Sequence, residues 1–342
     1  MLSLSKSFSI LLCLSLTLPG SAAQKSGYHQ IAKYDLGGEG GWDYLTVDDS
    51  AHRLYISRGT HVMVMDTNSG NVVGDVPDTP GVHGIAIARD LNRGFTSNGR
   101  ENTISIFDLK TLQLIKKVKA GANPDAILYD QHTHRVFAFN GRSSDVTVIE
   151  AKDGADAGTV PLGGKPEFAV SDGKGTIFVN VEDKNEMVAF DAKTLAVKSH
   201  WPLAPCEEPS GLAMDTKTRR LFAGCGNKLM AVVNADTGKI VTTLPIGKGV
   251  DANAFDPEKK LAFASNGDGT LTVVHEDSAE KFTVIEDVQT KPRARTMALD
   301  PESHKIFLVT ADFGPTPAAT ADQPRPRPPM LPNSFTVLVF GK

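Results

Sequence analysis

The chain has 342 residues, of which 22% are charged, and its formal net charge is −4. Its lysines and arginines do not form a block. A weakly acidic chain of this kind lacks the positive footprint that nucleic-acid binding requires, so we expect no nucleic-acid partner. Beyond the first residues, no stretch approaches the roughly 18 uninterrupted apolar residues of a membrane span, so we expect no span.

The first residues have the pattern of a secretory signal. Lys6 precedes the apolar run of residues 10–16, and the small residues 21–23 follow that run. A basic start, a short apolar segment and a small-residue site are the three parts of a cleavable signal peptide. We therefore expect residues 1–23 to be removed and the mature protein, residues 24–342, to be periplasmic or secreted.

A repeated unit occupies the rest of the chain. Each unit begins with a polar residue, continues with a short apolar strand and a polar turn, and then has an aromatic residue in a second strand. The units begin, at spacings of 40 to 44 residues, at Asp43, His83, Asp125, Glu167, Ser210, Asp251 and Arg295. The aromatic residue comes twelve positions later, or eleven in the fourth unit: Tyr55, Phe95, Phe137, Phe178, Phe222, Phe263 and Phe307.

Two further strands complete most units. Residues 62–65, 104–107 and 146–149 are β-branched third strands, and turn residues such as Asp66 and Asn234 follow third strands and are suited to accept backbone N–H groups. Four short strands per unit, with no helical periodicity, are typical of a propeller blade. The sequence therefore predicts an all-β, seven-bladed β-propeller with four-stranded antiparallel blades. We expect a single domain and a monomer.

The last unit lacks a fourth strand of its own. Its third strand covers residues 335–340, and a spare strand, residues 30–36, precedes the first unit. We expect this N-terminal strand to complete the last blade and close the ring. Closure would hide two sheet edges that otherwise promote aggregation.

The repeat resembles the YVTN-repeat family of β-propellers and, within it, YncE-like proteins. The resemblance is carried by residues 95–100 and 263–273, which read FTSNGR and FASNGDGTLTV, and by the turns DLKTL and DAKTL at residues 108–112 and 191–195. It implies a propeller fold for the whole mature chain. It implies no catalytic residues, because the family motif consists of strand and turn positions.

In a propeller, the start of each first strand and the end of each second strand meet on one face of the central channel. The candidate ligand-binding residues at this mouth are His83, Asp125, Glu167, Asp251, Asn98, Asn140, Asn266, Arg293 and Arg295. His83, Asp125 and Glu167, on three adjacent blades, are also candidate ligands for a divalent metal. The alternative is that each polar start only caps a tight turn and faces channel water. The arginines can either clamp an anion or neutralise the carboxylates.

A proline-rich segment, residues 314–332, contains seven prolines. Proline removes backbone donors and stiffens the chain, so we expect a loop inserted between the second and third strands of the last blade. That connection leaves from the same face as the mouth. The segment is therefore either a lid or recognition arm over the channel, or an extended loop without a role there.

Cys206 and Cys225 are the two cysteines of the mature chain. They lie before the first strand and at the end of the second strand of one unit, where antiparallel neighbours come within disulfide distance. We favour a structural disulfide over free thiols or metal ligation, in an oxidising compartment.

Three functions compete. The first is an exported, non-enzymatic propeller that binds a small ligand or a protein partner at the polar channel mouth. The second is a metal-assisted lyase or lactonase at the same mouth, suggested by fold analogy and by the cluster of His83, Asp125 and Glu167. The third, single-stranded DNA binding, follows from the family resemblance alone. It needs a basic groove with exposed aromatics, which this chain does not favour.

Overall fold

The computed structural model describes residues 25–320 and 326–342, and the expected signal peptide lies outside the described residues. Within them, 28 strands form seven antiparallel sheets of four strands each, which confirms the predicted seven-bladed β-propeller. The helices in this part of the chain are two short 3₁₀ turns, Arg89–Leu91 and Glu182–Lys184. No helix among these residues is long and apolar enough to cross a membrane.

Six blades are each made of four consecutive strands, which run in order from the channel outwards. Blade 1 contains β2 (Leu45–Asp48), β3 (Arg53–Ser57), β4 (Val62–Asp66) and β5 (Val72–Val76); blade 2 contains β6 (Val82–Ala88), β7 (Arg93–Asn98), β8 (Thr103–Asp108) and β9 (Leu114–Lys119); blade 3 contains β10 (Pro124–Asp130), β11 (Arg135–Asn140), β12 (Asp145–Glu150) and β13 (Asp156–Pro161). Blade 4 contains β14 (Pro166–Ser171), β15 (Thr176–Val181), β16 (Glu186–Asp191) and β17 (Val197–Pro202); blade 5 contains β18 (Pro209–Asp215), β19 (Arg220–Cys225), β20 (Leu229–Asn234) and β21 (Ile240–Pro245); blade 6 contains β22 (Val250–Asp256), β23 (Leu261–Asn266), β24 (Thr270–Ser278) and β25 (Lys281–Gln289).

Blade 7 joins the two ends of the described chain. It consists of β26 (Met297–Leu299), β27 (Ile306–Thr310), β28 (Thr336–Gly341) and β1 (His29–Asp35). β1 pairs with β28 in antiparallel register, with Tyr34 opposite Val337. The innermost strands of neighbouring blades touch in sequence around the ring, β26 against β2 included. The N-terminal strand therefore closes the ring as predicted.

The repeated aromatic residues form the core between the blades. All seven second-strand aromatics are buried, with no more than 1% of their surface exposed. Tyr55 lies against Phe107 and Phe137 against Phe190, with ring centroids 6.0 Å and 5.8 Å apart, so rings from one blade pack on the next. Removal of these large apolar surfaces from water is the main force that holds the blades together.

Polar turn residues hold the connections between third and fourth strands. The carboxylate of Asp66 accepts the backbone N–H of Ser69 at 2.7 Å, and Asp191 accepts that of Thr194 at 2.8 Å. Side chains that bond the backbone two or three positions ahead stabilise tight turns. The turn role predicted for these positions is confirmed.

A disulfide joins Cys206 to Cys225 in blade 5. The sulfur atoms are 2.07 Å apart and the Cα atoms 5.5 Å apart, and both residues are buried. The bond links the segment before β18 to the end of β19. It lies among the apolar side chains that pack blade 4 against blade 5.

The base of the proline-rich segment is paired. Phe313 forms an isolated antiparallel bridge with Met330, and the N–H of Gly314 donates to the carbonyl of Pro329 at 2.9 Å. Asp312, next to Phe313, forms an ion pair with Lys291, with 2.6 Å between the ammonium and the carboxylate. These contacts anchor the insert between β27 and β28, so its base is not a free extended loop.

Removal of residues 24–36 should open the ring. Without β1, the outer edge of β28 loses its antiparallel partner, and exposed edges pair with other chains. We expect the truncated protein to elute as aggregates in size-exclusion chromatography and to lose its cooperative melting transition. A monomeric truncation that melts cooperatively would contradict the closing role of β1.

Candidate functional site

The seven repeat starts lie together at one end of the innermost strands. His83, Asp125 and Asp251 are the second residues of β6, β10 and β22, whereas Asp43 and Arg295 stand two positions before β2 and β26. Because the innermost strands line the channel, their side chains face one another there. We call this group of seven residues, at positions 43, 83, 125, 167, 210, 251 and 295, the mouth ring.

His83 links two carboxylates of the mouth ring. Its Nδ1 atom is 2.6 Å from Oδ2 of Asp43 and 3.6 Å from Oδ1 of Asp125. Gly99 leaves room for the imidazole, because a Cβ atom at that position would lie 2.8 Å from Nε2 of His83. One imidazole from blade 2 therefore bridges carboxylates from blades 1 and 3.

The other two carboxylates of the mouth ring have cationic partners of their own. Oδ2 of Asp251 is 3.1 Å from Nε of Arg295, and the hydroxyl of Ser210 donates to Asp251 at 3.1 Å. Lys165 is 2.5 Å from Oε1 of Glu167 and also pairs with Glu182. Arg295 thus pairs with one ring carboxylate, while Lys165, which the sequence pattern did not single out, pairs with another.

The ring carboxylates bond to neighbouring side chains and do not cap turns. Among the described residues, none of Asp43, Asp125, Glu167 and Asp251 accepts a backbone N–H through its side chain. Turn capping is instead found at the opposite end of the first strands, where Asp256, for example, accepts two backbone N–H groups at 3.0 Å. The capping interpretation therefore does not describe the mouth ring.

Tyr44 is a site residue that the sequence reasoning missed. Its ring contacts that of Phe168 across the channel, with centroids 5.1 Å apart, and only 6% of its surface is exposed. Burial, followed by the charges of Asp251, Asp43, Asp125 and Glu167, raises the pKa of its hydroxyl well above its usual value. The sequence does distinguish Tyr44 from its counterparts, because only Tyr44 and Phe168 are aromatic at the position after a repeat start. In the other blades this residue is small: Gly84, Ala126, Gly211, Ala252 and Thr296.

Burial weakens the acidity of Asp125, Glu167 and Asp251. Burial and then the charge of Asp125 raise the pKa of Glu167 to about 8, although Lys165 opposes the shift. Burial raises the pKa of Asp251 to about 6 against the pull of Arg295, and it also raises the pKa of Asp125. For His83, burial lowers the pKa, but the hydrogen bond to Asp43 and the charge of Asp125 outweigh it and raise the pKa overall. For these three carboxylates, burial and neighbouring negative charge therefore outweigh the pull of the basic partners.

The three asparagines lie inside their own blades. Each ends a second strand, is fully buried, and donates its amide to a hydroxyl of the adjacent third strand. The bonds run from Asn98 to Ser105 (2.8 Å), from Asn140 to Thr147 (2.9 Å) and from Asn266 to Thr272 (3.0 Å). The structure thus brings these amides to strand hydroxyls and not into the mouth ring.

The arginines fall into separate environments. Arg293 lies with its guanidinium 4.0 Å from the ring centre of Phe313, next to the proline-rich segment. Arg58 is buried, stacks 3.6 Å from the ring centre of Phe335 and donates to the carbonyl of Glu39 at 2.9 Å. Burial lowers the pKa of Arg58 to about 10. Of Arg58, Arg293 and Arg295, only Arg295 forms an ion pair with a mouth-ring residue among the described residues.

The group suited to a metal ion differs in one member from the predicted set. Asp43, His83 and Asp125 each offer one ligand atom, and these atoms lie within 4.8 Å of one another. Glu167 is not part of this group, because its carboxylate lies against Lys165. Asp43 takes its place, because its carboxylate on blade 1 lies 2.6 Å from Nδ1 of His83 on the neighbouring blade 2.

The fold and the mouth ring together define a seven-bladed β-propeller with a polar, mainly acidic channel mouth. The structure is similar to a chain in the crystal structure of a mitotic checkpoint complex, with a TM-score of 0.71 and 16% identity over 97% of this chain and 98% of that one. It is also similar to the structure of U3-55K, with a TM-score of 0.72 and 9% identity over 91% of this chain and 98% of that one.

Sequence comparison adds a distant relative. The pre-rRNA-processing protein IPI3 of Meyerozyma guilliermondii is 25% identical over 160 residues, which are 45% of this chain and 34% of that protein. No family model matches the chain. These likenesses support a WD40-like propeller fold, whereas the YVTN-repeat resemblance stays a prediction.

The raised pKa of Glu167 makes stability depend on pH. Between its ordinary value of 4.5 and about 8, the folded protein holds a proton that the unfolded chain releases. Stability therefore falls as the pH rises through this window, and the raised pKa of His83 acts in the same direction. We expect Glu167→Gln to flatten the fall and to raise the free energy of unfolding at about pH 8 by on the order of 2 kcal/mol.

Urea unfolding from about pH 5 to about pH 8 measures this effect. Glu302→Gln is the matched control, because Glu302 is an exposed carboxylate in the turn between β26 and β27. It should leave the pH dependence of the parent unchanged. Equal slopes for the parent and Glu167→Gln would show that Glu167 does not hold the proton.

Proposed function

We propose that the protein is a binding propeller whose channel mouth holds a divalent cation through Asp43, His83 and Asp125, and presents that cation to a small polar ligand. The observation that carries the proposal is the convergence of three ligand atoms from three blades within 4.8 Å. One imidazole and two carboxylates form a donor set that suits Mn²⁺ or Zn²⁺. Three protein ligands would leave coordination positions open on the side of the solvent.

The charges at the mouth support the same proposal. Asp43 and Asp125 share one imidazole, whereas Glu167 and Asp251 have Lys165 and Arg295 as separate partners. Half-buried negative charge without a cation is costly, and a bound cation removes that cost. The uncompensated charge therefore lies where the three ligand atoms converge.

A metal-assisted lyase or lactonase at the same mouth is the second candidate. It is favoured by the place of Glu167 in the mouth ring beside Lys165, where burial raises its pKa to about 8 and suits it to proton exchange near neutral pH. A cation held by the three neighbouring residues would polarise a carbonyl oxygen of the substrate. Binding alone requires fewer assumptions, because it needs the cation site and no proton transfer.

The ligand of a binding propeller can also be a protein. One of the similar solved structures is that of a mitotic checkpoint complex, which is an assembly of proteins. Under this proposal, a protein partner would contact the mouth through an acidic or metal-binding side chain. Single-stranded DNA remains the least supported ligand, because the repeated aromatics are buried and the mouth is acidic.

We also propose that the protein is exported to the periplasm or the medium. The signal-like pattern of residues 1–23 and the Cys206–Cys225 disulfide support this, because disulfides persist in oxidising compartments. Fractionation of cells that express the full chain should find it outside the cytoplasm. Non-reducing peptide mapping of that fraction should yield one fragment that contains both cysteines. Cytoplasmic protein with two alkylated thiols would contradict export.

The cation proposal predicts the behaviour of conservative variants. Purified parent protein should bind about one equivalent of Mn²⁺ or Zn²⁺ in calorimetric titration and should melt at a higher temperature with the metal present. Asp43→Asn and Asp125→Asn each remove a charged ligand, so each should weaken binding by about tenfold or more. Folding should persist, because both side chains are partly exposed and their ion pairs within the described chain are with His83.

Glu302→Gln again serves as the control, because it removes one carboxylate far from the mouth. It should bind the metal as the parent does. The proposal would be overturned if the parent bound neither metal. It would also be overturned if the Asp43→Asn and Asp125→Asn single variants both bound the metal as tightly as the parent, and the mouth ring would then be a structural feature.

A further inference from the structure

A second concave site lies on the same face of the propeller, beside the mouth ring. Its volume is about 900 Å³, in the range of pockets that hold small organic molecules. Blades 6, 7 and 1 and the base of the proline-rich segment form its walls. The lining side chains that matter are those of Trp42, Lys248, Asp268, Arg293, Phe313 and Arg327. We call it the blade 7 cavity.

The apolar wall of this cavity is held in place. Trp42 packs against Phe335 and Phe313, with ring centroids 5.4 Å and 6.1 Å apart. Phe313 is fixed in turn by its bridge to Met330 and by the hydrogen bond from Gly314 to Pro329. Two aromatic side chains therefore line the cavity in defined positions, as a flat apolar ligand requires.

The charges in this cavity are mainly positive. Lys248, Arg293, Arg327 and Arg295 line it together with a single carboxylate, that of Asp268. Asp268 is already engaged, since it accepts the backbone N–H of Lys248 at 2.6 Å and the hydroxyl of Thr270 at 2.8 Å. The positive charges thus outnumber the negative ones by four to one at this site.

Most of these cations lack an ionic partner. Arg295 pairs with Asp251 of the mouth ring at 3.1 Å. Among residues 25–320 and 326–342, Lys248, Arg293 and Arg327 form no ion pair. Arg293 is oriented by its stacking on Phe313, an arrangement in which the edge of a guanidinium can still donate hydrogen bonds. Like charges that gather without partners favour an anion between them.

We propose that the blade 7 cavity binds a small organic anion that carries a flat apolar ring, of the aryl carboxylate class. The guanidinium of Arg293 and the ammonium of Lys248 would hold the carboxylate, since arginine pairs with carboxylates through two parallel hydrogen bonds. Trp42 and Phe313 would contact the ring. The site differs from the mouth ring in the sign of its charge, and the proposal does not depend on a cation being bound there.

Calorimetric titration of the purified parent protein with three probes tests the chemistry. The first probe, 2-naphthoate, has both the ring and the carboxylate and should bind. The second, 2-naphthylmethylamine, keeps the ring with the opposite charge, and acetate keeps the carboxylate without the ring; each should bind about tenfold more weakly or not at all. Absence of naphthoate binding, or equal binding of the amine, would overturn the proposal.

A pair of double variants locates the site. Lys248→Gln with Arg293→Gln removes two cations from the cavity and should weaken naphthoate binding by about tenfold or more. Lys174→Gln with Lys239→Gln removes two exposed lysines elsewhere and should change binding by less than about twofold. Equal binding by both double variants would place the anion elsewhere and refute the proposal. Lys248→Gln alone, which leaves the Arg293 stacking intact, provides the same comparison if the double variant unfolds.

Discussion

Antiparallel pairing of β1 with β28 holds the ends of the described chain together, and the geometry of the whole ring depends on it. Blade 7 has only three strands from its own end of the sequence, so the strand that precedes blade 1 supplies its outer edge. Once the ring is closed, β26 lies against β2 and the innermost strands face a common axis. The mouth ring exists only because of this closure, since its residues are far apart in sequence and approach one another through the circular order of the blades.

One face of the propeller has an acidic region at the channel axis and a basic region beside it. At the axis, four carboxylates share His83, Lys165 and Arg295 as their basic partners. Beside the axis, the blade 7 cavity gathers cations around one engaged carboxylate. Arg295 forms the boundary, because it lines the cavity and pairs with Asp251. The acidic mouth ring and the basic blade 7 cavity are therefore adjacent. Charged sites of this kind attract ligands of the opposite charge before close contact is made.

The spacing of the repeats was sufficient to predict the blades, their number and the closing strand, because each blade repeats one pattern of polar start and buried aromatic. The end of the channel at which the repeat starts converge also followed from strand direction. The partners of individual side chains could not be predicted in this way, because they depend on side-chain rotamers and on residues of the neighbouring blade. Asn98 turns to its own third strand, and Asp43 rather than Glu167 lies against His83. Tyr44 could not be predicted from the polar repeat starts, because it stands one position after such a start.

The contact between Tyr44 and Phe168 joins two blades that are not neighbours in the ring. The two rings come from blades 1 and 4, on opposite sides of the channel, and their centroids are 5.1 Å apart. The contact adds a link across the ring to the links between neighbouring blades, so the spacing of blades 1 and 4 at the channel depends on these two rings as well as on the blades between them.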